Sequence, residues 1–307
     1  MELPGLPEKG DVADWLKQSH TAQELIALTK AAPWWRPAEP EDDGFFVGAL
    51  EFAAQAPEEL PYLVKPIIPA GWNGSIIADP KILKSFSAVD LLVSLAAGQP
   101  WLDKFAGNKE SADNFAVPRR ARCALLARED FWGLTARRIK QLALGRGLKP
   151  EILADFSDYL LVNTRAQQAT WALDNDADLE GLIKHLKRRQ CEFVVLDVFR
   201  RLVSRIQAEA GCSTAIVHHT NKDSTSGPLF TRTRGASAIH GFMEWGIGLT
   251  TVNPGAPPRE CIRKMEFLSK AGGEPDPIFV KPEGGEEVGW AGWYELTTAA
   301  REEGSTR

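Results

Sequence analysis

The sequence predicts an α/β protein with a mainly parallel sheet flanked by helices, and three observations predict it. Apolar β-type runs at 75–78, 123–127, 159–162, 193–198 and 214–218 alternate with helical patterns at 84–97, 134–144 and 179–189. Strand, helix, strand, helix is the order that covers both faces of a parallel sheet. The pair Lys84-Ser85 opens the first of those helices directly after the first run, and the run 193–197 ends in a carboxylate, Asp197. Both lie at the carboxyl ends of strands, where open α/β sheets bind ligands.

The elements follow in order. Residues 11–28 read as two short helices, the second opened by the capping box Thr21-Ala-Gln-Glu24 and carrying Leu25 and Leu28 on one face. From 33 to 61 the chain is rich in proline and acid, with Glu39, Glu41, Asp42 and Asp43 close together, which reads as a linker. In 179–189, Leu179, Leu182, Ile183 and Leu186 recur at i, i+3, i+4 and i+7, one buried helical face. The runs 246–251, 262–268 and 278–281 follow each other with short connections, as in an antiparallel extension. The expected organisation is a helical appendage at 1–36, a linker at 37–60, the α/β domain at 61–296 and a tail at 297–307.

With 307 residues, 44% hydrophobic and 25% charged, the composition is that of a globular protein. No apolar run reaches the ~18–20 residues of a membrane span, and no signal peptide opens the chain, so a cytoplasmic protein without a membrane partner is expected. Cys123, Cys191, Cys212 and Cys261 lie far apart without a C-x-x-C pair and read as reduced packing thiols. The net charge of −5 excludes a uniformly basic nucleic-acid coat and leaves a local basic path open.

Residues Ala78, Asp79, Pro80, Lys81, Ile82, Leu83, Lys84 and Ser85 occupy the place of a phosphate-binding loop. The pattern G-x-x-x-x-G-K-[ST] wraps phosphates in backbone N–H groups, sets a lysine on the terminal ones and places a hydroxyl on Mg²⁺. Lys84 and Ser85 fit it, whereas Ala78 and Leu83 replace its glycines. Glu192-Phe-Val-Val-Leu-Asp197 has the form of a Walker B element, whose aspartate holds Mg²⁺. After the run 123–127 come Glu129 and Asp130, which read either as N-caps of the next helix or, with Asp130 capping, as a base, Glu129, that can orient water. His218, His219 and Thr220 end a further strand; successive side chains on a strand face opposite ways, which favours a phosphate sensor over a metal site. The polar loop 222–234 carries Lys222, Arg232 and Arg234, suited to nucleic-acid phosphates. Basic clusters at 119–122, 137–140 and 187–189 add to that reading.

Ile68-Pro-Ala-Gly71, Asp79-Pro-Lys81, Lys84-Ser85, Ala127-Arg-Glu-Asp130, Val194 to Asp197, His218-His-Thr-Asn-Lys222 and Arg234-Gly-Ala-Ser-Ala-Ile239, in this order, resemble the RecA-like AAA ATPases of the RepA replicative-helicase type. The resemblance spans about residues 60–296. Residues 3–16 resemble the tail of a Toprim-type primase module. The resemblance implies a RecA-like P-loop core binding ATP and Mg²⁺, with Lys84 on the phosphates, Ser85 and Asp197 on the metal, Glu129 as base and His218 or His219 as sensor. It implies a homo-oligomer, a hexameric ring, in which Arg234 or Lys270 reaches a neighbour's terminal phosphate. Single-stranded DNA and a primase or other replication partner are the implied associates. After Asp197 this chain is shorter than that pattern, with only 198–213 before the next strand. The implied activity is that of a DNA helicase of a mobile element; a nucleotide-binding adaptor with weak or absent hydrolysis is the alternative, favoured by Leu83.

Overall fold

A computed structural model gives the fold; the described residues are 3–6, 9–32, 47–79, 82–102, 115–127, 132–148, 150–163, 175–197, 203–220, 229–232, 243–257, 260–285 and 289–295. The chain divides into two compact units, Met1–Glu58 and Glu59–Arg307.

The first unit holds three described helices, α1 (Val12–Lys17), α2 (Ala22–Ala31) and α3 (Ala49–Ala54). Capping boxes start α1 and α2: Asp11 with Asp14, and Thr21 with Glu24, each supplying acceptors for first-turn N–H groups that have no helical partner. Trp15 is buried, stacks on His20 at 3.9 Å and donates its indole N–H to Pro4 O at 2.9 Å. The stretch read as a linker contains α3, whose Leu50 and Phe52 are exposed.

In the second unit β1 (Tyr62–Val64) and β2 (Ile68–Pro69) form a small antiparallel pair. The main elements are β3 (Asn73–Ala78), α4 (Lys84–Ala97), β4 (Cys123–Leu126), α5 (Trp132–Gly145), α6 (Pro150–Tyr159), β5 (Leu160–Val162), α7 (Asp176–Arg189), β6 (Phe193–Asp197), α8 (Val203–Ala210), β7 (Ser213–His219), β8 (Trp245–Thr251), β9 (Arg263–Ser269), β10 (Ile278–Gly285) and β11 (Gly289–Glu295). Nine strands form one sheet in the order β11-β10-β9-β8-β3-β7-β6-β4-β5. Pairing from β8 through β5 is parallel, and β8, β9, β10 and β11 pair antiparallel. This is the expected α/β architecture, a mainly parallel sheet with an antiparallel extension.

Two layers of helix explain the sequence pattern. On one face α7 and α8 bury Leu179, Leu182, Ile183, Leu186, Val203 and Ile206 against Val194, Leu196 and Ile216. These helices are amphipathic because solvent meets their other side. On the opposite face α4 packs on Ile76, Val195 and Val217, and is itself covered by α5 and α6. Sandwiched so, α4 is buried almost all round, including Asp90 and Ser94. Asp90 pairs with Arg146, the residue that follows α5, at 2.7 Å and accepts the Trp101 indole N–H at 3.2 Å, so its buried charge is matched.

Several elements depart from the sequence reading. The run at 246–251, expected in the antiparallel extension, is β8, parallel to β3, because Glu244 N–H reaches Asn73 O and starts the strand at β3's amino end. The helices α3, α6 and α8 and the strands β1, β2 and β11 were not expected. Residues 198–202, where the chain is short, lie outside the described residues, and α8 follows them.

Candidate nucleotide-binding site

Parallel pairing brings the strand ends together. Ala78 of β3 stands opposite His219 of β7, Val217 of β7 opposite Asp197 of β6, and Leu196 of β6 opposite Leu126 of β4. The carboxyl edge therefore juxtaposes Ala78, Asp79, His218, His219, Thr220, Asp197 and Ala127. Between β3 and α4 the chain makes its turn toward this edge; Pro80 and Lys81 lie outside the described residues, while Ile82 is buried and Leu83 half-buried.

Leu83 is the N-cap of α4 and has φ 68°, ψ 30°, the left-handed conformation that glycine adopts without strain. Its side chain packs on the apolar core. The loop thus keeps a backbone suited to glycine while carrying a leucine. Leu83 gives α4 no side-chain cap, so the N–H groups of its first turn face the loop with the positive end of the helix dipole behind them. Lys84, first residue of the helix, is 7% exposed, an unusual burial for lysine. Ser85 is half-buried and lines a small cavity with Ala88, Val89, Leu125, Ala127, Val195 and Val217, under the ends of β4, β6 and β7. Asp197 lies two residues beyond Val195 on β6.

The two histidines separate by face. His219 shares the face of Ala215 and Val217, which pack toward α4, and His218 shares that of Ile216, which packs toward α7 and α8. Only His219 is on the side of Lys84. Among the described residues no group of three or more His, Cys, Asp or Glu is placed to hold a metal ion.

The end of β7 is tied to the loop by Thr220. Its N–H donates to Ala78 O at 3.2 Å and its hydroxyl donates to Asp79 Oδ1. At the end of β4, Asn163 accepts the Ala127 N–H at 3.0 Å and donates its amide to Ala127 O at 3.3 Å, just before 128–130. Sequence reasoning missed both ties, since neither motif contains its partner.

Glu129, Lys222 and Arg234 lie outside the described residues; Arg232 ends a short 3₁₀ turn, Leu229–Arg232. Leu229 and Phe230 of that turn sit on a glycine floor, Gly246 and Gly248 of β8, where any Cβ would meet them. Lys270 is exposed at the end of β9; Ser269 pairs with Trp245 and Trp245 with Gly74, so Lys270 is on the amino edge of β3, opposite Ala78. Its N–H donates to Glu244 O at 2.8 Å.

The arginines of one basic cluster have partners within the chain. Arg119 pairs with Glu192, which raises the Arg119 pKa through the hydrogen bond; Arg120 pairs with Asp155 and lies 3.7 Å over the Tyr159 ring; Arg122 donates to Gln190 at 2.7 Å. These arginines flank the amino ends of β4 and β6, away from the candidate site, and are engaged within the chain. Lys187, Arg188 and Arg189 occupy the last turn of α7, where cations suit the helix dipole. No helix among the described residues is long and apolar enough to cross a membrane.

No curated protein matches the sequence. A solved KaiC-like protein from the hyperthermophilic archaeon Pyrococcus horikoshii OT3 aligns over 78% of this chain and 100% of its own, at 10% identity and a TM-score of 0.48. A family model described as AAA domain matches residues 37–225, more than half of the chain and the whole stretch from the candidate phosphate loop to the strand of the histidines. The chain belongs to the AAA domain family.

Proposed function

We propose that the protein is an ATP-driven, ring-forming motor on single-stranded DNA, a RepA-type helicase of a replicating mobile element working in the cytoplasm. The observation that carries the nucleotide half of this reading is Leu83 in the left-handed conformation ahead of a buried Lys84. A bulky residue accepts that conformation at a cost of roughly 1–3 kcal/mol, and such strain collects at ligand clamps. The residues present suit ATP and Mg²⁺. Lys84 and the first-turn N–H groups of α4 would hold phosphate, and Ser85 with Asp197 would hold the metal. When bound, Mg²⁺ neutralises charge that develops on the phosphoryl oxygens.

Other roles follow from position. Glu129, three residues past β4, would take the proton of the attacking water; His219, on the α4 face, suits a phosphate sensor better than His218. Lys222, Arg232 and Arg234 would contact DNA phosphates. Lys270, on the far edge from its own loop, suits a finger offered to a neighbouring subunit. The Toprim-like residues 3–16 and the first-unit helices would face a primase or replication partner.

A second reading is favoured by Leu83 itself: an adaptor that binds ATP and turns it over slowly. One experiment separates the two and tests both. ATP binding by calorimetry and steady-state hydrolysis with and without single-stranded DNA are measured for the wild type, Lys84→Ala and Glu129→Gln. The motor reading expects DNA-stimulated hydrolysis, no binding in Lys84→Ala, and binding without turnover in Glu129→Gln. Unchanged ATP affinity in Lys84→Ala would remove the site, and binding without DNA-stimulated turnover would leave the adaptor.

A further inference from the structure

Asp79 is the chemically awkward member of the loop. A carboxylate beside a bound polyphosphate repels it, and Asp79 directly follows β3 at the start of the loop. In this structure its position is fixed. Thr220, 3% exposed and next to His219, reaches across from β7 with two donors: its N–H to Ala78 O at 3.2 Å and its hydroxyl to Asp79 Oδ1. Threonine is branched at Cβ, which restricts χ1 and so points the hydroxyl one way. Strand pairing fixes the rest, because Ala78 and His219 are register partners.

We propose that Thr220 is a positioning residue of the phosphate loop, holding the Asp79 carboxylate against the end of β7 so that the loop can admit a polyphosphate. This rests on the nucleotide-binding reading above. The hydroxyl both orients the carboxylate and takes up part of its charge, and the main-chain bond holds the first loop residue in line. Without the hydroxyl the carboxylate is released toward the phosphates, and only the main-chain bond to Ala78 O still ties the start of the loop to the strand that carries His219.

The test has two arms. In the first, ATP affinity is measured for Thr220→Val, which keeps shape and branching, for Thr220→Ser, which keeps the hydroxyl, and for both in an Asp79→Asn background. Thr220→Val is expected to weaken ATP about tenfold and Thr220→Ser less than twofold. In the Asp79→Asn background the valine should cost less than twofold, because a neutral amide does not repel phosphate; neighbours that act through one another are non-additive in this way. Equal losses in both backgrounds, or no loss for valine, overturn the proposal. In the second arm, hydrogen exchange over 78–86 is followed in nucleotide-free protein. Thr220→Val should speed exchange there at an unchanged melting temperature, and Thr220→Ser should restore protection. If the wild type binds no ATP, the nucleotide reading falls, whereas unchanged exchange in Thr220→Val removes the clasp itself.

Discussion

Replacing Arg146 by methionine isolates one charge at the centre of the second unit. Asp90 has no exposed side-chain surface, Arg146 has 7%, and their 2.7 Å contact joins the middle of α4 to the end of α5. Arg146 also donates to Pro100 O at 3.2 Å, and Gln99 donates to Arg146 O at 3.3 Å, so the arginine pins the chain between α4 and β4 as well. Methionine retains much of the apolar stem while leaving Asp90 with the Trp101 indole alone. Removing one partner of a buried pair costs about 3–5 kcal/mol. At ~2–4 °C per kcal/mol for a unit of this size, the melting temperature should fall by roughly 10 °C. The assay is thermal denaturation followed by tryptophan fluorescence, for which the chain has 10 tryptophans, Trp101 being in contact with the pair. Asp90→Asn added to Arg146→Met removes the stranded charge and keeps an acceptor for the indole, and should recover at least half of the loss. A single mutant that melts within 2 °C of the wild type would refute the reasoning, as would a double mutant weaker than the single. Because Lys84 and Ser85 are on the first turn of this helix, a looser α4 should also weaken ATP binding.

Three further outcomes are expected. Gly74→Ala would place its Cβ 2.1 Å from two carbons of the Trp245 ring, which is fully buried and cannot withdraw; a loss of about 1–3 kcal/mol or more in the same denaturation assay is expected. Burial pushes the thiols of Cys191 and Cys212 up to about 11 and about 12. The folded chain therefore keeps protons that the unfolded chain releases, and stability should fall as pH rises from about 9 toward 12, with no thiol reaction in native protein at pH 8. Lys270→Ala should bind ATP nearly normally but hydrolyse it up to ~10³–10⁵-fold more slowly, the range of transferred fingers. Adding Lys84→Ala subunits should then restore some hydrolysis, which a monomer would not show.

Much of the core could be read from the sequence because its strands are buried on both faces. Val194 and Val195 both point into apolar layers, so β6 reads as a continuous run rather than an alternation. The same holds for β3 and β7. Strand direction is another matter: nothing local in Trp245–Thr251 says that it runs parallel to β3, since the Glu244 to Asn73 bond that sets it joins residues far apart in sequence. β11 escaped notice because Gly289 to Glu295 mixes glycines with aromatics, and its Trp293 finds its meaning against residues far away in sequence, Phe86 at 5.4 Å and Arg263 at 5.4 Å. At the site, Lys84 and Ser85 were legible from type and spacing. Thr220 and Asp79, 141 positions apart, became partners only through the pairing of β7 with β3. The pairing of the arginines at 119–122 was hidden for the complementary reason: composition counts charges and does not show that Glu192 and Asp155 already meet two of them.

The missing glycines of the phosphate loop have physical substitutes. A glycine there can supply a left-handed backbone, close approach, or both. At Ala78 neither is needed, because the residue is still in β3, bonded on one side to β7 and on the other to β8, with its methyl group in the core. At Leu83 the left-handed conformation is needed and is present at φ 68°. Its cost, about 1–2 kcal/mol for an L-residue, is of the same order as the gain from partly burying a leucine, since full burial contributes ~1.5–3 kcal/mol. The strain and the packing are thus produced by the same side chain: the conformation that costs energy is also the one that sets Leu83 against the core. A loop anchored this way resists rearrangement more than one hinged on glycine, because leaving the left-handed region would also expose the leucine. That favours a preorganised phosphate cradle over one that forms only around its ligand.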